Sequence, residues 1–120
     1  MKVLLLGASL NPERTAYLAA LRLQAAGHSL YLLGARPGTL MGLPLHTEWP
    51  QPSDFTPHTV TLYLGPAAQP LYRQAILASQ AQRVVFNPGT ENPDFENALT
   101  LAGKEALRAC TLVLLASGTF

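Results

Sequence analysis

Apolar residues in this chain fall into short unbroken runs, and the stretches between them carry helical spacing. The first run is Lys2–Leu6. A continuous apolar run of this length suits a strand covered on both faces. Pro12–Ala26 follows, polar at Arg14, Arg22 and Gln24 and otherwise mostly apolar or alanine. That pattern predicts a helix, with Gly27 as its left-handed stop. A second strand is expected at Leu30–Leu33, broken by Gly34-Ala35-Arg36-Pro37-Gly38. Between residues 39 and 58 the pattern weakens. Leu43–Thr47 reads as a short strand and Ser53-Asp54-Phe55 as one helical turn, while Pro50, Pro52 and Pro57 exclude a long helix. Val60–Leu64 is the next strand. Ala67–Ala81 then reads as a helix whose inner face is Leu71, Tyr72, Ala75, Ile76 and Ala78. A strand at Arg83–Phe86 leads to a helix over Pro93–Ala109, with Phe95, Leu99, Ala102 and Ala106 inward. Thr111–Leu115 is expected as the last strand.

Strands that alternate with helices build a parallel sheet with right-handed crossovers. The expected fold is therefore α/β: a Rossmann-like three-layer sandwich with a mostly parallel sheet of five or six strands, in one domain spanning 1–120. Three strand ends run into a turn and then a proline, at Pro12, Pro66 and Pro93. Proline suits the first helical position, where its missing N–H would be unpaired anyway. Asn11 and Asn92 precede two of these prolines and suit the cap. Such helix starts gather along the C-terminal edge of a parallel sheet. Their free N–H groups and partial positive charge favour phosphate there.

Composition narrows the partners. Net charge is +1 and the eight basic residues form no run, which argues against nucleic acid. No apolar stretch approaches the ~20 residues of a membrane span, so no membrane is expected. The single cysteine, Cys110, excludes an internal disulfide framework, and the expected location is cytoplasmic. With only 12% charged residues, a twofold homodimer is expected.

The candidate ligand edge begins with Gly7-Ala8-Ser9-Leu10-Asn11-Pro12. This is not the dinucleotide fingerprint G-x-G-x-x-G. Gly7 still permits a tight turn, Ala8 and Ser9 leave room for a pyrophosphate, and the Ser9 hydroxyl is a candidate donor. After the second strand, NAD-binding domains place an acid for the ribose hydroxyls. Here Gly34-Ala35-Arg36 offers a guanidinium instead. Arginine suits an extra phosphate, which favours a 3′-phosphorylated ADP or NADP over NAD. His28, His46 and His58 lack metal-ligand spacing, so neither a metal site nor a catalytic group is expected among them. His28 follows a helix stop, where a cation would favour the dipole. Glu91 reads as a complement to a helix start, Glu13 as pointing outward, Cys110 as an inert buried thiol and Trp49 as a core plug.

Gly7-Ala8-Ser9 with Asn11-Pro12-Glu13-Arg14 and Tyr17 resembles the opening of the small stand-alone CoA-binding proteins, which look like the CoA-binding domain of succinyl-CoA synthetase. Gly27-His28, Gly42-Leu43-Pro44 and Pro88-Gly89-Thr90-Glu91-Asn92 continue the resemblance along nearly the whole chain. It implies coenzyme A as the cofactor. The ADP part would lie at the first turn, against Gly7, Ala8, Ser9, Asn11, Pro12 and Arg14, and near the loop with Gly34 and Arg36. Pro66, Pro88 and Gly89 would line the other strand ends. The chain departs from the family at Ala16 and Leu18, where Ser and a basic residue are usual. It departs again at Ala35-Arg36-Pro37, where Asn-Pro is usual, and at Thr59-Val60-Thr61, which lacks acids. A cysteine expected after the last strand is replaced by Ala116-Ser117-Gly118. The leading reading is a non-catalytic binding module for CoA or a related adenine nucleotide. The alternatives are a small NADP-dependent oxidoreductase, or an interaction protein that has lost its ligand.

Overall fold

The computed structural model describes residues 1–120. Its elements in chain order are β1 (Lys2–Leu6), α1 (Thr15–Ala25), β2 (Ser29–Leu33), β3 (Gly38–Leu40), β4 (Leu43–His46), β5 (Thr59–Leu62), α2 (Pro70–Ala78), β6 (Arg83–Phe86), α3 (Pro93–Leu101), β7 (Glu105–Arg108) and α4 (Thr111–Ala116). One sheet of seven strands runs in the order β3-β4-β2-β1-β5-β6-β7. Every pairing is parallel except β3 with β4. β1 lies inside the sheet, in register with β2 from Lys2↔Ser29 to Leu6↔Leu33 and with β5 from Val3↔Thr59 to Leu6↔Leu62.

Successive strand residues point to opposite faces, so β1 feeds two cores. Leu4 and Leu6 join Val60, Val84 and Phe86 beneath Ile76 of α2 and Phe95 and Leu99 of α3. The Phe86 and Phe95 rings meet edge to face at 5.7 Å. Val3 and Leu5 join Leu32 beneath Ala16, Ala19, Ala20 and Leu23 of α1, with Leu112 and Leu115 of α4 packed alongside. The alanines of α1 let its backbone lie close to the sheet. The three-layer Rossmann-like sandwich is therefore present.

Several elements differ from the sequence reading. The sheet has seven strands because Gly38–Leu40 turns back on β4 as a hairpin. The hairpin's reversal lies at Met41 and Gly42, both with positive φ. α1 begins at Thr15 and not at Pro12. Asn11 closes a local turn, its Oδ1 accepting from the Glu13 N–H at 3.0 Å, and does not cap the helix. α2 begins at Pro70, four residues after Pro66, and leaves Leu71 80% exposed. α3 does begin at Pro93, with Asn92 Oδ1 accepting from the Phe95 N–H at 3.3 Å.

The last third shows the largest shift. α3 ends at Leu101, and Gly103 at φ +81° follows its cap as a left-handed stop. Glu105–Arg108, read as helix, is the edge strand β7; Thr111–Leu115, read as strand, lies within α4. A short apolar run does not distinguish a strand from a buried helical turn. His28 Nδ1 lies 3.1 Å from the N-terminal nitrogen, and burial, then that ammonium, disfavour its cationic form and hold it below its ordinary value.

Candidate functional site

The C-terminal ends of β1, β2, β5, β6 and β7 surround one cleft of about 1150 Å³. It straddles β1, where the strand order changes direction, with β2 on one side and β5 on the other. This crevice is where open parallel sheets bind ligands. Most of the expected site residues meet here: Gly7, Ala8, Ser9, Asn11 and Arg14 from the first loop, Arg36 from the second, and Pro88 and Gly89 from the loop after β6. Pro12, Gly34 and Pro66 are not part of its lining.

Gly34 has a different task. A Cβ there would lie 2.3 Å from the Ala8 carbonyl oxygen. The bare backbone of Gly34 lets the end of β2 press against the first loop, and its N–H donates to His46 O at 2.8 Å. Gly7, at φ +101°, is equally constrained, since a Cβ would sit 2.9 Å from the Tyr63 carbonyl carbon. The Gly7 and Ala8 N–H groups both donate to Leu33 O, at 2.8 and 3.0 Å. They hold the loop and do not face a ligand. Ser9 Oγ accepts from the Asn11 N–H at 3.0 Å, which leaves its own hydrogen free to donate. Thr15 and Ala16, the first residues of α1, line the cleft. The first N–H groups of a helix lack intrahelical partners, so this end is an anion-favouring wall.

Charge is unevenly distributed along the cleft. Glu13, Arg14 and Arg36 lie on the β1–β2 side. Glu13 is exposed at the rim of the cleft rather than turned away from it. Neither guanidinium is ion-paired within the chain, whose two salt bridges are Arg73–Asp94 and Arg108–Glu96. Across β1, the wall formed by Tyr63, Leu64, Gly65, Asn87, Gly89 and Cys110 has no carboxylate or basic side chain. A Cβ on Gly65 or Gly89 would meet nothing within 4 Å, so both leave open space.

A buried polar cluster under this neutral half was not legible in the sequence. Asn87, 1% exposed, donates through Nδ2 to Thr61 Oγ1 at 2.7 Å and to Leu62 O at 2.8 Å. Its Oδ1 accepts from the Thr111 N–H at 2.8 Å, fastening the start of α4 to the strand ends. The Thr61 and Thr111 hydroxyls share a further hydrogen bond of 2.8 Å. The Tyr63 hydroxyl lies beside them without a partner in hydrogen-bonding geometry, and burial pushes it up to about 12.

Cys110 stands at the start of α4, partly exposed and on the cleft wall, not buried between a helix and a strand. With β7 at Glu105–Arg108, it is also the cysteine that follows the last strand. The apparent replacement by Ala116-Ser117-Gly118 came from misplacing that strand. Trp49 is half-buried against the α2–α3 core, consistent with a plug. Glu91 accepts from the Gly89 N–H at 2.9 Å and so shapes the Pro88–Gly89 loop.

The sheet order and the position of the crevice define a Rossmann-like α/β domain. Residues 1–116 match the CoA binding domain family, and the chain belongs to it. An uncharacterized protein of known crystal structure is 42% identical, with a TM-score of 0.92 over 99% of this chain and 97% of its own. A Thermus thermophilus protein is 22% identical with a TM-score of 0.82, over 99% of this chain and 90% of its own. A Pyrococcus horikoshii hypothetical protein is also 22% identical, at 0.81 over 92% and 78%. At that identity these last two show the fold alone. No curated protein matches the chain. No helix is long and apolar enough to cross a membrane.

Proposed function

We propose that this chain is a non-catalytic binding module for coenzyme A or a related adenine nucleotide, held at the C-terminal edge of the sheet. The observation that carries the reading is the division of one cleft into a cationic and a neutral half. The phosphates of a 3′-phosphorylated ADP suit Arg14, Arg36 and the start of α1. The uncharged pantetheine arm suits the wall of Gly65, Gly89 and Tyr63. The cleft is large enough for such a ligand, and its glycines leave the approach open. The non-catalytic part rests on the make-up of the cleft lining, in which Glu13, Tyr63 and Cys110 form no hydrogen-bonded acid–base pair. A homodimer in the cytoplasm completes the proposal and is checked by sedimentation and fractionation.

Arg36 supplies the discriminating experiment. A charge-assisted bond to the 3′-phosphate contributes roughly 1.5–3 kcal/mol, so Arg36→Ala weakens CoA by about ten- to a hundredfold. Dephospho-CoA lacks that phosphate and loses little. Calorimetry on the four protein–ligand pairs reads the difference. Equal losses for both ligands would remove Arg36 from the phosphate site. If the parent binds neither ligand, the chain has kept the fold and lost the ligand.

A further inference from the structure

Two of the loops that form the neutral wall, after β5 and after β6, are joined by one buried side chain. Gln69 is 2% exposed and sits between the loop after β5 and the loop after β6. Its Nε2 donates to Leu64 O at 3.0 Å and to Thr90 O at 2.7 Å. Its Oε1 accepts from Asn92 Nδ2 at 2.9 Å. Asn92 in turn caps α3 through Oδ1, and its N–H donates to Glu96 Oε2 at 2.9 Å. Leu64 and Thr90 both line the cleft. The chemistry at this point calls for an amide. Two loop carbonyls need two donors from one atom, and the Asn92 carboxamide needs an acceptor beside them. The sequence hides this role, because Gln69 is an unremarked polar residue at the start of a helix.

We infer that Gln69 is a positioning residue for the neutral half of the cleft, setting the spacing between the Leu64-Gly65 and Gly89-Thr90 loops that hold the pantetheine arm. This rests on the CoA-binding reading above. Gln69 does not line the cleft, so it acts through the two loops. Arg14 and Arg36 stand across β1, on loops that Gln69 does not touch. Its loss should therefore separate the two halves of the ligand.

The test is Gln69→Met, which nearly conserves volume while removing both donors, with Gln69→Glu as a second variant that keeps an acceptor for Asn92. Both are titrated calorimetrically with CoA and with 3′,5′-ADP, which carries the 3′-phosphate and the first 5′-phosphate and lacks the second 5′-phosphate and the arm. The expected result is an affinity for CoA about tenfold weaker, the scale of lost hydrogen bonds, and an affinity for 3′,5′-ADP within about twofold of the parent. A folded variant that binds CoA as the parent does overturns the inference. So does an equal loss for both ligands, which marks a general structural role. A parent that binds no CoA overturns the binding reading and this inference with it. If neither variant folds, hydrogen exchange on the parent decides. CoA should protect the Gly65, Gly89 and Thr90 amides together while 3′,5′-ADP does not, and the same protection by both ligands overturns the inference.

Discussion

Gly34→Ala tests how the cleft is built from a position outside its lining. The added Cβ would lie 2.3 Å from Ala8 O and 3.2 Å from Ala8 C. Relief requires the two backbones to part by roughly an ångström, since carbon contacts settle near 3.5–4 Å. Both are tied. Gly34 N–H donates to His46 O, and the Gly7 and Ala8 N–H groups donate to Leu33 O. Overpacking a tight contact costs about 1–3 kcal/mol, and weakening one of these bonds adds about 0.5–1.5 kcal/mol. The expected destabilisation is thus about 2–4 kcal/mol, or a fall in Tm on the order of 10 °C for a domain of this size. Denaturant unfolding with two probes measures it. Gly65→Ala is the control, because its Cβ meets nothing within 4 Å and it should stay within about 0.5 kcal/mol of the parent. CoA affinity should fall in Gly34→Ala, because the displaced Ala8 carbonyl belongs to the first loop. A Gly34→Ala protein as stable as the parent would refute the close approach of β2 to that loop.

Two further outcomes follow from the same geometry. Glu96 is held below its ordinary 4.5 by the Arg108 guanidinium, at 2.8 and 3.0 Å, with help from the Asn92 N–H. Its folded value lies below its unfolded one, so its contribution is present above about pH 4.5 and is lost as pH falls toward the folded value. Melting curves from pH 7 to 3 should therefore fall more steeply in the parent than in Glu96→Gln; parallel curves would contradict the ion pair. Cys110 lines the cleft, so CoA should slow its alkylation by a maleimide, while an unchanged rate would place the ligand elsewhere.

The sequence carried the centre of the sheet better than its edges. Buried strands such as Lys2–Leu6 and Arg83–Phe86 have apolar runs and clear breaks, and their bounds hold in the structure. The last strand failed because Gly103 was not read as a helix stop. Ala102 and Ala106 fit a helical face as well, and the helix they suggest hides the place of Cys110 just after the last strand. Proline signalled a helix start correctly at Pro93, where Asn92 can cap. It misled at Pro12 and Pro66, where the chain needs further loop residues before it can turn down onto the sheet. Of the cleft lining, Gly7, Gly89, Arg14 and Arg36 are legible because their chemistry is local. Gly34 was taken for a ligand contact because only the folded register brings it against Ala8. Asn87, Gln69 and Thr111 act across 21 to 50 residues of chain, and no local pattern marks them.

A calorimetric titration of the purified chain with CoA tests the central claim most directly. The account predicts saturable binding at one site per chain, tighter than 3′,5′-ADP because both halves of the cleft are filled. No saturable binding of CoA, dephospho-CoA or 3′,5′-ADP would contradict it.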